Sequence, residues 1–432
     1  MQLTGWGRYP IKRCRVTRPE SVGSLPDAAS ALARGYGRSY GDSALNSHGS
    51  VLLTDRLTRI LDWQADSGVV TVEPGLTIGE LLRFTVPRGH FLPVVPGTQF
   101  VSIGGAVAAD IHGKNHHIHG SFGNHIVGMK LRDAENEVHV ISPTQDPDLF
   151  WSTIGGMGLT GIIESVSIKL LPIQSEAIHV TSENTPNLEK TVERLLDSSQ
   201  TDMYRVAWLD ALAKGKHFGR GNILWGSHAD APHRHATQKP QGKLQIPFVP
   251  AISPLNSLSI AAFNSARYRL MQRLPRESLQ HYEPFFFPLD GAGGWNKLYG
   301  PSGFTQYQIT LPLELESVAY ILERLQQGHH PPYLVVLKDF GKGNDGLISF
   351  PHRAFTLAMD IPIRPGLFSL LDELDEWVLG QGGRVYLAKD VRLHRSMLAA
   401  MYPGLQKWLE TKRRIDPKNF FRSDQSIRLS LH

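Results

Sequence analysis

Four glycine-rich segments in the first 163 residues constrain this 432-residue chain more than any other feature. They read ARGYGRSYGDS at 33–43, PVVPGT and SIGGAVAAD between 93 and 110, IHGKNHHIHGSFGNH at 111–125, and FWSTIGGMGLTGII at 150–163. Glycine has no side chain to block a close approach, so its backbone can lie directly against a ligand or another segment. The segments therefore predict tight loops that shape a concave site.

The first segment holds three glycines within seven residues, at Gly35, Gly37 and Gly41. Consecutive bare backbone N–H groups suit a phosphate or pyrophosphate, although a plain turn would use the same residues. The G-x-G-x-x-x-G spacing is not the Rossmann fingerprint, and no Gly-Lys-Ser/Thr follows as in a P-loop. In the second segment, prolines fix the backbone before Gly97, and the small residues after it would admit a flat ring or a packed backbone.

Composition excludes several classes of protein. Hydrophobic residues make up 41% of the chain, enough for sizeable cores, and the length suggests about two to three domains. The net charge of +5 is too diffuse to indicate nucleic-acid binding. Cys14 is the only cysteine, which excludes a disulfide framework. Because no secretory leader and no membrane-spanning apolar run is readable, we expect a cytoplasmic protein that is peripheral to a membrane at most.

The patterning predicts a mixture of short strands and helices. β-Branched runs between turn residues predict strands at 50–54, 69–73, 138–142 and 162–171. Thr77, followed three residues later by Glu80, predicts a capped helix over 76–86. Beyond residue 300 the patterns predict strands 306–311, 333–337 and 384–388 and helices 313–327, 367–380 and 396–414. The stretch 227–275 lacks periodicity and is either a lid or binding segment, or an ordered crossover with a packed helix.

Five histidines fall within residues 112–125, a density that raises the question of a metal site. Carboxylates are scarce there, cysteines are absent, and the spacing fits no usual zinc pattern. We therefore predict no metal, and we interpret this segment as the polar side of a cofactor site. A histidine-rich metal-binding module without enzymatic activity is the alternative that metal analysis would test.

Together these segments resemble the decaprenyl-phosphoryl-β-D-ribose 2′-oxidase family, a branch of the vanillyl-alcohol-oxidase/p-cresol-methylhydroxylase superfamily of FAD-dependent oxidoreductases. The resemblance runs through nearly the whole chain, and its most specific motifs are DIHGKNHH at 110–117 and YLAKD at 386–390. It implies an α+β, PCMH-type fold of two domains. An FAD-binding domain would span 1–175, a substrate domain of antiparallel sheet and helices 176–375, and a C-terminal segment, 376–432, would complete the FAD domain and the active site.

The resemblance also implies the residues that hold FAD. The matching positions are Ala33, Arg34, Gly35, Tyr36, Gly37, Arg38, Ser39, Tyr40, Gly41, Asp42, Ser43, Gly97, Ser102, Ile103, Gly104, Gly105, Ala109, Asp110, Ile111, His112, Ile163 and Tyr386. Related sugar oxidases often carry, directly after the second glycine of the first segment, a histidine that is linked to the flavin. This chain has Arg38 there, so we predict non-covalent FAD.

For catalysis the resemblance implies Lys389, His112 and Tyr386. Lys389 matches the family's essential lysine and would polarise or deprotonate the substrate hydroxyl; a surface lysine paired with Asp390 is the alternative. His112 and Lys114 would lie beside the flavin ring, where a cation stabilises the negative charge of the reduced form. The predicted substrate-binding residues are Lys114, Tyr307, Gln308, Lys338 and Trp208. Trp208 is either an apolar wall or a core residue, and Gln308 is either a pocket residue or a solvated strand residue.

The implied reaction is oxidation of the 2′-hydroxyl of a polyprenyl-phosphoryl ribose to the 2′-keto sugar. It is the first half of an epimerisation that supplies arabinose for cell-envelope polysaccharide. The expected partners are the lipid-linked sugar, an NAD(P)H-dependent short-chain reductase that completes the epimerisation, and a membrane surface contacted by 243–275. An FAD-dependent oxidase of a free sugar, aldonolactone or alditol is the alternative. This chain has Ala358 where the family often carries a cysteine, which implies resistance to inhibitors that target that thiol.

Overall fold

The computed structural model describes residues 1–25, 31–231 and 244–432, which form an α+β fold. Its largest element is a seven-stranded, wholly antiparallel sheet drawn from the middle of the chain. In spatial order its strands are Glu277–His281, Ala177–Thr185, Gly221–His228, Tyr204–Leu209, Leu334–Phe340, Ala354–Pro362 and Phe304–Leu311.

The N-terminal part of the chain forms two further sheets. A five-stranded antiparallel sheet has the order Val138–Ile141, Ile126–Arg132, Ile162–Lys169, Val69–Val72 and Ile60–Gln64. A three-stranded parallel sheet has the order Arg15–Thr17, Ser50–Leu53 and Ala31–Arg34. Three two-stranded pairs are Gln2–Thr4 with Ile11–Arg13, His90–Phe91 with Leu171–Pro172, and Leu244–Gln245 with Ala292–Gly293.

Helices pack around these sheets. The α-helices are Ile78–Thr85, Ile103–Ala108, His116–His119, Pro147–Thr153, Leu188–Leu195, Ser257–Arg273, Tyr282–Phe286, Leu315–Gln327, Leu367–Gly380, Arg395–Met401, Leu405–Ile415 and Asp424–Arg428. Short 3-10 turns cover Val22–Ser24, Val86–Arg88, Phe122–His125, Gly215–His217, Pro288–Gly291 and Trp295–Tyr299. Among the described residues, no helix combines the length and apolar character needed to cross a bilayer.

The predicted capping at Thr77 is confirmed. The hydroxyl of Thr77 accepts the backbone N–H of Glu80 (3.2 Å), and the Glu80 carboxylate accepts the backbone N–H of Thr77 (2.9 Å). Two N–H groups that the helix itself leaves without partners are thereby satisfied. This fixes the start of the Ile78–Thr85 helix, which then buries Leu81 and Leu82 in the N-terminal core.

Alternation along the edge strand Phe304–Leu311 separates the core from the site. Tyr307 and Ile309 point into the large core that the helices Leu315–Gln327 and Leu367–Gly380 build. Gln306 and Gln308 point to the opposite face, where they line a cavity. Successive side chains of a strand alternate between the two faces of its sheet, so one strand serves both purposes.

The last fifty residues return to the glycine-rich N-terminal part. Arg428 pairs with both Asp42 and Asp390 at 2.8 Å, and the backbone N–H of Asp424 donates to the carbonyl of Leu45 (2.7 Å). The indole N–H of Trp408 donates to the carbonyl of Ser152 (2.9 Å). These contacts fix the YLAKD motif against the first glycine segment.

The structure corrects two predictions about secondary structure and decides between the two alternatives left open for a third segment. Residues 384–388 are not a strand: Val385 makes a single isolated bridge with Ile309. The helix predicted over 396–414 is two helices, Arg395–Met401 and Leu405–Ile415, because Pro403 cannot supply a backbone donor and Gly404 packs its backbone on Leu347. Within 227–275 the ordered crossover is the correct alternative for 257–273, which form a helix; residues 232–243 lie outside the described chain.

Candidate active site

One cavity brings the glycine-rich segments, the site-facing edge of the seven-stranded sheet and the YLAKD motif together. Of the predicted residues, the following line it: Ala33, Arg34, Gly35, Tyr36, Gly37, Arg38, Ser39, Tyr40, Ser43, Gly97, Ser102, Gly104, Gly105, Ala109, Ile111, His112, Ile163, Gln308, Lys338, Tyr386 and Lys389. Segments separated by more than 350 positions in the sequence thus meet around one space.

The first glycine loop offers a row of backbone donors to this cavity. Within the described chain, the backbone N–H groups of residues 35–39 have no hydrogen-bond acceptor. A Cβ on Gly35 would lie 2.1 Å from Ser102 Oγ, and Gly37 has a left-handed φ of 62° that disfavours a side chain. Glycine is therefore required for the loop to adopt this course, and its free N–H groups suit a diphosphate.

Gly41 has a different role from the two glycines before it. It lies outside the lining, and a Cβ there would lie 1.8 Å from the carbonyl oxygen of Asp390. Its bare backbone admits the C-terminal segment rather than a ligand. Asp42 is likewise outside the lining because its carboxylate pairs with Arg428.

Two further predicted cofactor residues also lie outside the lining. Ile103 is fully buried in the N-terminal core. Asp110 is buried, and its carboxylate accepts hydrogen bonds from the backbone of Gly123 (2.8 Å), the hydroxyls of Ser121 and Ser349, and the amide of Asn344 (2.9 Å). Asp110 therefore joins the histidine-rich segment to the 344–349 loop and shapes the site from behind.

His112 enters the cavity as a neutral ring. The Gln308 amide nitrogen donates to His112 Nε2 (2.9 Å) and to Thr356 Oγ1 (3.1 Å). Burial lowers the pKa of His112 well below its usual value, and the charge of Lys338 adds to that shift. The ring hydrogen therefore sits on Nδ1, which is buried and has no hydrogen-bond partner among the described residues. With its pKa lowered in this way, His112 would not supply the predicted cation at neutral pH.

Tyr386 borders the cavity, but its hydroxyl is already committed. It donates to the carbonyl of Ala109 (2.7 Å), and the ring stacks on Phe350 with centroids 4.6 Å apart. Burial raises the pKa of Tyr386 well above its usual value. The hydroxyl proton is therefore not available to a substrate, and Tyr386 acts here as a rigid wall that joins the 109–112 turn to the YLAKD motif.

Lys389 lies in the cavity with its ammonium group over an aromatic ring. Its Nζ is 4.0 Å from the centroid of the Tyr40 ring. The alternative pairing with Asp390 is excluded, since Asp390 binds Arg428 and the backbone N–H groups of Arg392 and Leu393. Burial lowers the pKa of Lys389 to about 7, against the opposing effect of the Asp360 carboxylate. At neutral pH a substantial share of the side chain is therefore a free amine, which can accept a proton.

A buried carboxylate completes the surroundings of Lys389. Asp360 Oδ1 accepts the Gln306 amide (2.6 Å), which also contacts the Tyr40 hydroxyl (3.3 Å). The other oxygen, Oδ2, has no partner among the described residues. Burial raises the pKa of Asp360 to about 7, so this acid and Lys389 titrate in the same range.

Lys338 supplies the second basic group of the cavity. Burial lowers its pKa to about 8, and no carboxylate of the described chain forms a salt bridge with it. An unpaired lysine at the edge of a cavity is a ready counter-charge for an anionic group.

The structure places three of the predicted substrate residues outside the lining of the cavity. The Lys114 ammonium donates to the carbonyl of Phe286 (3.1 Å). The Tyr307 hydroxyl donates to Asp375 (2.8 Å) on the core face of its strand. Trp208 lies one strand beyond the lining, beneath the guanidinium of Arg267 at 4.7 Å, so of its two alternatives the packed residue is correct.

The prediction missed several lining residues, among them Gln306, Asp290 and Trp295. Strand alternation could have found Gln306, since it shares a face with Gln308. Asp290 accepts the backbone N–H of Gln99 (2.8 Å) and so joins the second glycine segment to the 288–295 turn. No local pattern marks that pairing of residues 191 positions apart.

The histidine-rich segment shows no metal-binding arrangement within the described chain. The one described group of three side chains with ligand spacing is Asp133, Glu137 and His139, outside the cavity. Asp133 Oδ1 already accepts the backbone N–H groups of Glu135 and Glu137 in a tight turn.

The lining fits an FAD molecule. Free backbone N–H groups at 35–39 suit its diphosphate, and a Cβ on Gly97 would contact no protein atom, so this backbone opens directly into the cavity. Arg38 stacks on Trp6 and Phe100, with its guanidinium carbon 4.2 and 4.9 Å from the two ring centroids. A guanidinium is not a nucleophile for a flavin link, and the buried Cys14 is not part of the lining.

Comparison with known proteins agrees with this geometry. A model of the FAD binding domain family matches residues 27–142. A decaprenylphosphoryl-β-D-ribose oxidase of Mycolicibacterium smegmatis is 37% identical over 100% of this chain and 97% of its own length. An uncharacterised Streptomyces coelicolor protein is 34% identical over 82% of this chain and all of its own length. The L-gulonolactone oxidase of Mus musculus is 22% identical over 98% of this chain and 96% of its own.

Full-length similarity at this level, together with the cavity that the glycine segments form, defines the family. The chain belongs to the decaprenylphosphoryl-β-D-ribose oxidase family of FAD-dependent oxidoreductases.

Proposed function

We propose that this protein oxidises the 2′-hydroxyl of a polyprenyl-phosphoryl ribose to the 2′-keto sugar, as the first half of an epimerisation to an arabinose donor. The observation that carries the proposal is Lys389, an amine with a pKa of about 7 in a cavity that also presents Lys338 and the neutral His112. A base for the hydroxyl proton and a counter-charge for the phosphate are the groups that this substrate requires.

The proposed chemistry removes two hydrogens from one carbinol. Bound FAD supplies the two-electron acceptor for the hydrogen on carbon. Lys389 Nζ, in its free-amine form, takes the hydroxyl proton as the C=O bond forms. The neutral ring of His112, held in place by Gln308, forms part of the wall beside the reacting groups. Lys338 pairs with the phosphate and so sets which end of the substrate faces Lys389.

Other parts of the proposal rest on the same site. FAD is held without a covalent link, since Arg38 occupies the position of the linking histidine of related oxidases. The first 175 residues and residues 376–432 form one FAD-binding unit, and 176–375 form the substrate unit; the contacts of Arg428 with Asp42 and Asp390 support this division. The keto product requires a separate NAD(P)H-dependent reductase.

Oxidation of a free sugar, aldonolactone or alditol is the second candidate. The full-length similarity to a protein named L-gulonolactone oxidase favours it. Lys338 separates the two candidates, because a neutral polyol or lactone has no anionic group to pair with it.

Anaerobic reduction of the bound flavin tests the proposal. The purified yellow holoenzyme is mixed with polyprenyl-phosphoryl ribose, free ribose, an aldonolactone or an alditol, and the visible absorbance of the flavin is followed. We expect only polyprenyl-phosphoryl ribose, of these four compounds, to bleach the flavin. Bleaching by the lactone or alditol, without bleaching by the lipid-linked sugar, would establish the second candidate instead. The Lys338→Met variant should weaken binding of the phosphorylated sugar and leave the oxidised spectrum unchanged.

A further inference from the structure

The helix Ser257–Arg273 buries Ile260 and Asn264 but leaves several of its large apolar side chains exposed. Leu258, Ala262, Phe263, Ala266 and Leu270 are exposed, and we call them the outward apolar face. Leu258 is 81% exposed and Phe263 61%. Residues three or four apart lie on one side of a helix, so these five form a continuous stripe.

Polar contacts hold the inward side of this helix on the sheet. The Asn264 amide donates to Asp210 (2.8 Å), and Ser265 accepts from the guanidinium of Arg220 (2.9 Å). The Tyr268 hydroxyl donates to the carbonyl of Thr185 (3.2 Å). These directional hydrogen bonds fix the orientation of the helix. The helix therefore cannot rotate about its axis to bury the apolar stripe without breaking them.

The segment before the helix extends the apolar surface. Leu244, Phe248 and Ile252 are 66%, 68% and 87% exposed, and Leu274 beyond the helix is 49% exposed. Exposed large side chains scattered singly are ordinary, but a contiguous group marks an interaction surface. Seven exposed large hydrophobic side chains of the described residues thus fall within 244–276.

The charge of this surface indicates its partner. Residues 244–276 contain four arginines and no acidic residue. Arg269 and Arg273 are exposed on the helix beside the apolar face. Aliphatic and aromatic residues flanked by arginine, without a carboxylate, are the pattern of a helix that lies in the interface of an anionic bilayer.

The surface also contacts a turn that lines the cavity. The Lys297 ammonium donates to the carbonyl of Ile246 (2.8 Å), and the Ser253 hydroxyl donates to the carbonyl of Leu298 (2.8 Å). The contacted 288–299 turn carries Leu289, Asp290 and Trp295, which line the cavity. The apolar surface and this part of the cavity wall are therefore parts of one structural unit.

We propose that the outward apolar face, with Leu244, Phe248 and Ile252, docks on an anionic lipid bilayer and holds the cavity mouth at the membrane surface. The apolar side chains enter the boundary between headgroups and acyl chains, and Arg269 and Arg273 contact lipid phosphates. Delivery of a lipid-linked sugar by this contact rests on the proposed function; the membrane contact itself does not.

Vesicle co-sedimentation of the full-length holoenzyme tests the docking. The vesicles contain equal parts phosphatidylglycerol and phosphatidylcholine, or phosphatidylcholine alone. We expect binding to the anionic vesicles that is lost in the Leu258→Ser/Phe263→Ser double variant. Removing two surface arginines, as Arg269→Gln/Arg273→Gln, should weaken binding roughly tenfold or more. The matched control, Leu61→Ser/Val140→Ser, alters side chains exposed by 49% and 52% elsewhere and should bind as the parent does.

Equal binding of the parent and the Leu258→Ser/Phe263→Ser variant would overturn the proposal. So would a dimer in solution that the same variant dissociates, since the occupant would then be a second copy of the chain. Circular dichroism and the visible flavin spectrum verify that each variant is folded and loaded.

Flavin reduction separates this proposal from the proposed function. With substrate embedded in anionic vesicles, the double variant should react more slowly than the parent, whereas a short-chain, water-soluble analogue should reduce both equally. If vesicles bind as expected but neither substrate form bleaches the flavin, the docking surface stands and the proposed activity fails.

Discussion

The amine of Lys389 lies 4.0 Å from the centroid of the Tyr40 ring, and within the described chain no carboxylate is close enough to form a salt bridge with it. The lysine is therefore held by an aromatic face in a desolvated site. Burial lowers its pKa to about 7, whereas contact with the ring favours the charged form. The Lys389→Ala variant should lose about 10²–10⁴-fold in the rate of substrate-driven flavin reduction. Rapid-mixing absorbance measures this rate, and an unchanged rate would remove Lys389 from the mechanism. The oxidised spectrum should persist, showing that FAD is still bound.

The pH dependence of flavin reduction should follow the Lys389–Asp360 pair. Proton acceptance needs the free amine, so kcat/KM should rise with pH through about 7, the pKa of Lys389. It should fall again above about 8, where Lys338 loses the charge that binds the phosphate. The Asp360 carboxylate raises the pKa of Lys389, so the Asp360→Asn variant should move the rising limb to lower pH. Asp66→Asn, at an exposed position, is the control and should leave the profile unchanged. A limb that does not move in Asp360→Asn would exclude coupling between the two groups.

Substitution of Gly97 should separate cofactor affinity from folding. A Cβ at Gly97 meets no protein atom within 4 Å, so the Gly97→Ala apoprotein should melt within about 2 °C of the parent. The same methyl group enters the cavity, and we expect FAD affinity to fall about tenfold, equivalent to about 1.4 kcal/mol. Fluorescence titration of the apoprotein with FAD measures the affinity. Gly380→Ala, also without a neighbour within 4 Å but outside the cavity lining, should leave FAD affinity unchanged. Any change in its melting temperature should be an increase, because alanine favours the helix that ends there. Tight FAD binding by Gly97→Ala would show that the cofactor does not approach this loop.

Reagents that modify thiols should not inactivate the parent enzyme. Its only cysteine, Cys14, is buried and lies outside the cavity, whereas the lining residue Ala358 has no nucleophilic side chain. The Ala358→Cys variant would place a thiol in the lining between Val336 and Gln308, its neighbours in the sheet register. Activity after treatment with a maleimide should then fall in the variant and persist in the parent. Inactivation of both to the same extent would mean that Cys14 is reached.

Tyr307 should matter for stability and not for the reaction. Its hydroxyl donates to the buried Asp375, which also pairs with Arg392 at 2.8 Å. The Tyr307→Phe variant should lose about 1–2 kcal/mol in the free energy of unfolding, because a buried acceptor loses one donor. Its rate of flavin reduction should equal that of the parent. A lower rate with unchanged stability would show that Tyr307 reaches the substrate after all.

Local sequence signals predicted the elements whose hydrogen-bond partners lie close together in the chain. The Thr77–Glu80 capping box marked the start of its helix, since both partners lie within one turn. The glycines of the first segment predicted a tight loop whose backbone course excludes side chains at those positions. The YLAKD motif, through the family resemblance, predicted a role for Lys389. These signals depend on neighbours in the chain, which the sequence displays directly.

Only the tertiary structure decided which of the marked residues face the cavity. Gly41 makes room for Asp390, 349 positions later, and Tyr307 faces the core because the pairing of its strand with Ala354–Pro362 fixes the face on which each side chain lies. The Ser257–Arg273 helix exposes its outward apolar face because Asn264 and Tyr268 form hydrogen bonds on the inward side. Long-range packing and sheet register set these outcomes, because burial and the protonation states that follow from it depend on distant partners.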